Sequence, residues 1–339
     1  MFLFFFFILL LGSSPCLLAR ITPGFTNKEV AGISERFLNA ARGSEVAGGI
    51  SEFKKHFRRF GYLPLQNDTF LLTDTFDDRF ESAVTLYQEK LGLPTTGKLD
   101  LATVSQVSTP RCGVPDTPVT FHGTKRYVYF PGKPRWYRPM PMTLTYAFSP
   151  VNFISSLSSS DIKVVFKRAF ATWASVIPVS FVETEDYGFA DIKIGFYSGD
   201  HGDGEAFDGV LGVLAHSFSP ESGRFHLDAA ETWAVDFGTE KSPVAVDLES
   251  VATHEIGHLL GLGHSSVKEA VMYPSLKPRD KKVDLTVDDI EGVQALYGLN
   301  PNSRSGNLLE SDISSNQAVD LRIRASDMAL PLILYLLCM

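Results

Sequence analysis

The sequence predicts an α/β body that follows a small all-α module, and three observations carry that expectation. The chain has 339 residues, more than one ordinary domain, which suggests two domains plus tails. From about Ile50 to Thr109 the apolar residues recur only at helical spacing. Beyond Met142, strand-like alternation and helical periodicity take turns, the pattern of strands joined by a helical crossover.

Met1 to about Ala19 is an apolar stretch followed by small residues, and it reads as a secretory signal peptide. Residues 20–49 are a mostly polar lead-in. In the helical module, Phe53, Phe57 and Phe60 lie one turn apart, and Phe80, Val84, Tyr87 and Leu91 mark a second helix over residues 76–91. A turn over Leu93–Asp100 leads into a third short helix, Asp100 to Val107. Asn67-Asp-Thr69 is an N-glycosylation sequon between these segments, so Asn67 is expected on a surface loop. Residues 117–141 form a linker rich in Pro, Gly, Lys and Arg, where an activating protease is expected to cut. No R-x-K-R site is present, so furin-like processing is not supported.

The body is expected over 127–299. Met142 to Phe148 alternates like a strand. Ser160 to Ser175 is an amphipathic helix with Ile162, Val165, Phe166, Phe170 and Trp173 on one stripe. Strands follow at Val179–Thr184 and Ala190–Phe196, and the stretch Val213–His216 is expected to offer an edge for an extended peptide. A helix near Ser250 to Leu260 packs under the sheet. A last helix spans Leu285 to Leu299, with Thr286 as N-cap and Gly298 ending it.

Composition narrows function. The net charge of −8, with no basic stripe, argues against a nucleic-acid partner. Of the three cysteines, Cys16 lies in the signal and Cys338 at the extreme C-terminus, leaving Cys112 alone in the folded part.

The chemistry concentrates in Val251 to Ser265, which reads H-E-x-x-H-x-x-G-x-x-H. On a helix, His254 and His258 project from one face, and Gly261 lets the chain turn so that His264 joins them. Three neutral imidazoles leave one tetrahedral position of a zinc ion open, the arrangement of a catalytic site. Glu255 beside them is the expected general base. Cys112 lies in Pro110-Arg-Cys-Gly-Val-Pro-Asp116; its thiolate is a strong zinc ligand able to take the open position, and Arg111 and Asp116 can brace the turn.

These motifs resemble the matrixins, the matrix metalloproteinase branch of the metzincin zinc endopeptidases, over roughly residues 50–299. Ser265 after the third histidine fits that branch better than the acidic residue of astacins or adamalysins. The resemblance implies a twisted, mostly parallel five-stranded sheet with three helices, preceded by a three-helix pro-domain of the peptidoglycan-binding type, which the run Gly92–Asp100 also resembles. It implies a propeptide over 20–126, with 110–116 as its cysteine switch, and a catalytic domain over 127–299. It implies a Met-turn at Met272, and a structural zinc on His201, Asp203, His216 and His226. Six of the eight histidines thus fall in two zinc sets. Asp208, Asp228 and Glu231 are hard oxygen ligands suited to calcium. Arg224 stands where animal matrixins usually place an Asp of a further calcium site, and Leu276 where many have Tyr.

Residues 300–327 are polar, and 328–339 form a short apolar tail. Small residues, a polar spacer and a hydrophobic end read as a GPI-anchor signal, with Ser314 or Ser315 as the attachment site. No propeller-like domain follows, so the layout looks most like the plant matrixins. The implied function is a secreted zinc endopeptidase cleaving extracellular proteins, latent until a protease activates it, at the plasma membrane or in the apoplast. The competing reading is a non-proteolytic cell-wall binding protein that uses the helical module; the intact Glu255 and switch segment argue against it.

Overall fold

A computed structural model describes residues 49–64, 72–116 and 127–301, together with Ala40. Asn67, Ser314, Ser315, Cys16, Cys338 and both apolar ends lie outside these residues. Among the described residues no helix is long and apolar enough to cross a membrane.

Among the described residues, three helices form the N-terminal module: α1 (Ile50–Arg59), α2 (Asp78–Lys90) and α3 (Leu101–Val107). Asp77 and Asp100 start α2 and α3 by accepting the Phe80 and Thr103 N–H groups at 2.8 and 2.9 Å. These caps satisfy donors that have no partner within the helix. The helices enclose an aromatic core of Phe53, Phe57, Phe60, Phe76, Phe80 and Tyr87.

The body is built on β2 (Met142–Phe148), α4 (Ser159–Ala174), β3 (Val179–Glu183), β4 (Ile192–Tyr197), β5 (Val213–Ser217), β6 (Arg224–Asp228) and α5 (Leu248–Leu259). A last helix, α6 (Val287–Tyr297), closes it. The short strands β7 (Trp233–Ala234) and β8 (Val246–Asp247) form a separate parallel pair. The last helix is shorter than the apolar pattern suggested. Thr286 and Asp289 close a reciprocal capping box at its start, and Gly298 at φ 81° ends it.

Among the described residues the main sheet has the five strands expected of the body, β2 to β6, and a sixth added at its edge. The extra strand, β1 (Arg111–Cys112), comes from the switch segment and pairs parallel with β5. Without it, the outer edge of β5 would show a row of unpaired N–H and C=O groups. The order is β1-β5-β6-β4-β2-β3, and all neighbours are parallel except β5 and β6. Helix α4 lies between strands β2 and β3, which pair parallel, as the alternating pattern implied. Its apolar stripe, with Phe166, Phe170 and Trp173, joins Ile256 and Leu259 of α5 in the main core.

Candidate metal centre

Helix α5 carries the first two histidines. Asp247 caps it by accepting the Ser250 N–H at 2.8 Å. Gly261 adopts φ +103° and ends the helix, and a Cβ there would fall 2.2 Å from the Pro134 carbonyl oxygen. Only glycine makes that turn without displacing backbone, and the turn delivers His264.

Each imidazole is oriented by its Nδ1. That atom lies 2.7 Å from the Val271 carbonyl in His254, 2.8 Å from the Leu262 carbonyl in His258, and 2.6 Å from Asp116 Oδ1 in His264. Carbonyl and carboxylate oxygens only accept, so all three Nδ1 atoms carry the proton and all three Nε2 atoms present a lone pair. His258 and His264 then set their Nε2 atoms 3.1 Å apart, and the His254 Nε2 is buried with no hydrogen-bond partner. Lone pairs facing each other in a dry site are repulsive unless a cation lies between them. The Cys112 sulfur sits 3.4 Å from His258 Nε2. Donor atoms of Cys112, His254, His258 and His264 all lie within 4.8 Å of one another, and this soft N/S set fits zinc. Burial and neighbouring imidazoles hold His254 and His258 far below the usual histidine range.

Glu255 is fully buried, and neither carboxylate oxygen has a hydrogen bond. Burial pushes its pKa up to about 7, against the opposing pull of the nearby Cys112 thiol and Ser217 hydroxyl. Burial and the Glu255 charge push the Cys112 thiol up as well.

The switch segment is held on both sides. Gly113 N–H donates to the Ala215 carbonyl at 2.8 Å and Cys112 N–H to the Pro274 carbonyl at 2.8 Å; the Leu276 N–H returns a bond to the Pro110 carbonyl at 3.0 Å. A Cβ at Gly113 would come 2.7 Å from Val213 Cγ1, so the close approach needs glycine. Arg111 and Asp116 form the expected pair at 2.8 Å, both side chains 3% exposed. Beside Cys112 and Glu255, a pocket opens that is lined by Leu214, Val251, Tyr273, Pro274 and Leu276.

Met272 is buried under the histidines. A Cβ on Gly257, between His254 and His258, would fall 2.2 Å from its sulfur. Asp289, in the first turn of α6, accepts the Val271 and Met272 N–H groups on its carboxylate at 2.9 and 3.0 Å and fastens the turn to α6. Neighbouring Asp288 accepts the Ser265 hydroxyl at 2.6 Å. The donors that Asp289 accepts from are main-chain N–H groups, which leave no residue-type signal in the sequence.

A second group gathers His201, Asp203, His216 and His226. Asp203 Oδ2 lies 2.9 Å from His201 Nε2 and 2.8 Å from both His216 Nε2 and His226 Nδ1. With three imidazoles and one carboxylate, no open position remains.

Asp208, Asp228 and Glu231 are not among the groups whose donor atoms converge within that spacing. Asp208 instead accepts the Val213 N–H at 2.7 Å and meets Arg59 at 3.4 Å. Asp228 accepts the Gly209 N–H, and Glu231 the Leu211 N–H, at 3.1 and 2.6 Å. Glu231 retains a buried oxygen without a partner, and burial with the nearby Asp228 and Asp208 charges raises its pKa to about 8. Arg224 is exposed and lies over the Phe218 ring, 3.6 Å from its centroid.

A three-histidine helix-and-turn site with a buried carboxylate, beside the β5 sheet edge, defines a zinc metalloendopeptidase. The chain belongs to the matrix metalloproteinase family: residues 135–298 match the matrixin family model, and residues 47–107 match a putative peptidoglycan binding domain. It is 63% identical to metalloendoproteinase 4-MMP of Arabidopsis thaliana over 82% of this chain and 81% of that protein. Metalloendoproteinase 1 of Glycine max is 46% identical over 75% of this chain and 83% of its own length. Human matrix metalloproteinase-20 is 42% identical, over 62% of this chain and 41% of that protein.

Proposed function

We propose that this endopeptidase is made as a latent precursor, its catalytic zinc held by His254, His258 and His264 and closed off by Cys112. The observation that carries the reading is the convergence of the Cys112 sulfur with three imidazole nitrogens in one buried group. When bound, zinc supplies Lewis acidity that polarises a carbonyl and acidifies water. Once the switch segment leaves, Glu255 takes the proton from the attacking water on a carboxylate oxygen and delivers it to the leaving amine nitrogen. The β5 edge vacated by β1 pairs with an extended peptide. The apolar lining around Val251, Tyr273 and Leu276 then accepts an apolar side chain after the cut.

His201, Asp203, His216 and His226 would hold a structural zinc that ties down the long loop after β4. Asp208, Asp228 and Glu231 would supply oxygen ligands to calcium, for which the unpartnered Glu231 oxygen is the support. Residues 1–19 serve as signal peptide, 20–126 as propeptide and 127–299 as the protease. Asn67 carries a glycan, and a GPI anchor at Ser314 or Ser315 places the enzyme at the outer face of the plasma membrane. Its substrates are extracellular proteins, and another protease removes the propeptide.

Two substitutions test the core of this reading. Glu255→Gln should keep the fold and zinc content while peptide cleavage falls by at least about a hundredfold; cleavage near the wild-type rate would refute the proton-transfer role. Cys112→Ser should give a precursor that is active without a thiol reagent, whereas a latent variant would assign closure to packing alone. Release of the protein from membranes by phosphatidylinositol-specific phospholipase C tests the anchor.

A further inference from the structure

The three imidazoles of the candidate zinc site are not oriented alike. His254 and His258 donate to carbonyls of the protease body, Val271 and Leu262. His264 donates instead to Asp116, which lies 148 residues earlier in the chain and belongs to the switch segment. Asp116 is tightly fixed. Its Oδ1 accepts both His264 Nδ1 at 2.6 Å and Arg111 Nη2 at 2.8 Å, and its Oδ2 accepts the Tyr62 hydroxyl at 2.7 Å. Asp116 and His264 side chains are only 3% and 4% exposed. Arg111 sits 3.6 Å from the centroid of Phe60 and donates through Nε to the Cys112 carbonyl at 3.1 Å. Carboxylate and thiol are thus parts of one braced turn.

We propose that Asp116 is a positioning residue for the zinc site of the latent form, fixing the tautomer and ring orientation of His264 while Cys112 supplies the fourth donor. The inference rests on the latency reading above. A carboxylate accepting the distal N–H of a ligating histidine raises the basicity of the ligand nitrogen and pre-sets its direction. Because that acceptor belongs to the propeptide, activation alters the site at two points. It removes a donor, and it strips His264 of its orienting partner while His254 and His258 keep theirs. The precursor therefore holds zinc more tightly than loss of the thiol alone would account for.

The test measures zinc affinity of the full-length precursor by competition with a chromophoric chelator, in a Cys112→Ser background so that the thiolate does not mask the effect. Asp116→Ala should weaken zinc binding by about ten- to a hundredfold. Asp116→Asn keeps an acceptor oxygen without the charge, so it should fall between Ala and the parent and serve if the alanine variant fails to fold. Arg111→Met removes the brace and spares the Asp116–His264 contact, so its affinity should stay close to the parent's. A role confined to bracing predicts that Arg111→Met and Asp116→Ala lose affinity equally. That result, or parent-like affinity in both Asp116 variants, would overturn the proposal. Failure of the latency reading registers separately, as a Cys112→Ser precursor that remains inactive.

Discussion

His254, His258 and His264 share one device: a fixed acceptor on Nδ1 that frees Nε2. The acceptor for His254 is a carbonyl of the Met-turn, so anything that holds this turn also holds a ligand. Asp289 does so through two main-chain hydrogen bonds, at 1% exposure. Asp289→Ala would strand the Val271 and Met272 N–H groups in the core and open the capping box of α6. Each stranded donor costs about 1–3 kcal/mol and the cap about 1 kcal/mol more. The expected result is a loss of roughly 3 kcal/mol or more in denaturant unfolding, measured in the Glu255→Gln background to prevent self-digestion. A loss below about 1 kcal/mol would show that water or another acceptor replaces the carboxylate. At the next residue scale contact, Gly257→Ala drives a methyl group into the Met272 sulfur and toward Trp173 Cζ2, 3.0 Å away. Overpacking of this kind costs about 1–3 kcal/mol, and zinc affinity should fall with it, read by the same chelator competition.

Helix α5 must stay in place for its two histidines to meet the third, and a charge cluster fastens its first turn. Glu249 accepts Arg168 Nε and Nη2, both at 2.8 Å, and Lys281 Nζ at 3.0 Å. Burial opposes ionisation of Glu249, but the hydrogen bonds and charges of Arg168 and Lys281 outweigh it, and its pKa lies below the ordinary 4.5. A depressed folded-state value means that the unfolded chain binds the proton first. The stabilisation is therefore complete above pH 4.5 and is lost as pH falls through the folded-state value. Arg168 and Lys281 are nearly half exposed, so solvent keeps the effect small. Glu249→Gln should flatten the fall in melting temperature below pH 4.5, and an unchanged acid limb would place the sensitivity elsewhere. The ends of α5 and α6 were legible in the sequence because Thr286, Gly261 and Gly298 act locally. The sixth strand was not: β1 exists only because Arg111 and Cys112 meet β5 about a hundred residues on, and a two-residue strand has no periodicity. The histidine sets were legible since zinc chemistry demands particular residue types. The carboxylates read as calcium ligands showed less, because Asp and Glu serve main-chain N–H groups equally well, as Asp208 does here.

The two bodies of the molecule meet across a shared apolar cluster in which Phe207, Val213 and Tyr273 of the protease join the core of the helical module. Polar contacts surround it. Gln106 Nε2 donates to Ser275 Oγ at 2.8 Å, Arg59 Nη2 to the Ala206 carbonyl at 2.8 Å, and the Tyr273 hydroxyl to the Leu91 carbonyl at 3.2 Å. On the proposed latency, the helical module would do more than carry the switch: its grip would set how often Cys112, only 4% exposed, is uncovered. A thiol reagent reacts with the open form, so its rate reports that equilibrium when closing is faster than reaction. Gln106→Ala with Arg59→Ala removes four contacts at the joint, Gln106 with Ser275 and Tyr273 and Arg59 with the Ala206 carbonyl and Asp208, all away from the three histidines. The hydrogen bonds to Ser275 and Ala206 alone contribute about 0.5–1.5 kcal/mol each, so the pair should raise the open fraction by at least roughly 5-fold. Modification of Cys112 should accelerate by the same factor, and latency should leak in proportion. On the proposed activation, the isolated protease would have no helical module to lose, so its kcat/KM should not change with the Arg59 substitution made in the precursor. An unchanged modification rate would mean that the switch segment opens by itself, against its bonds to β5, Pro274 and Leu276, while the helices stay docked.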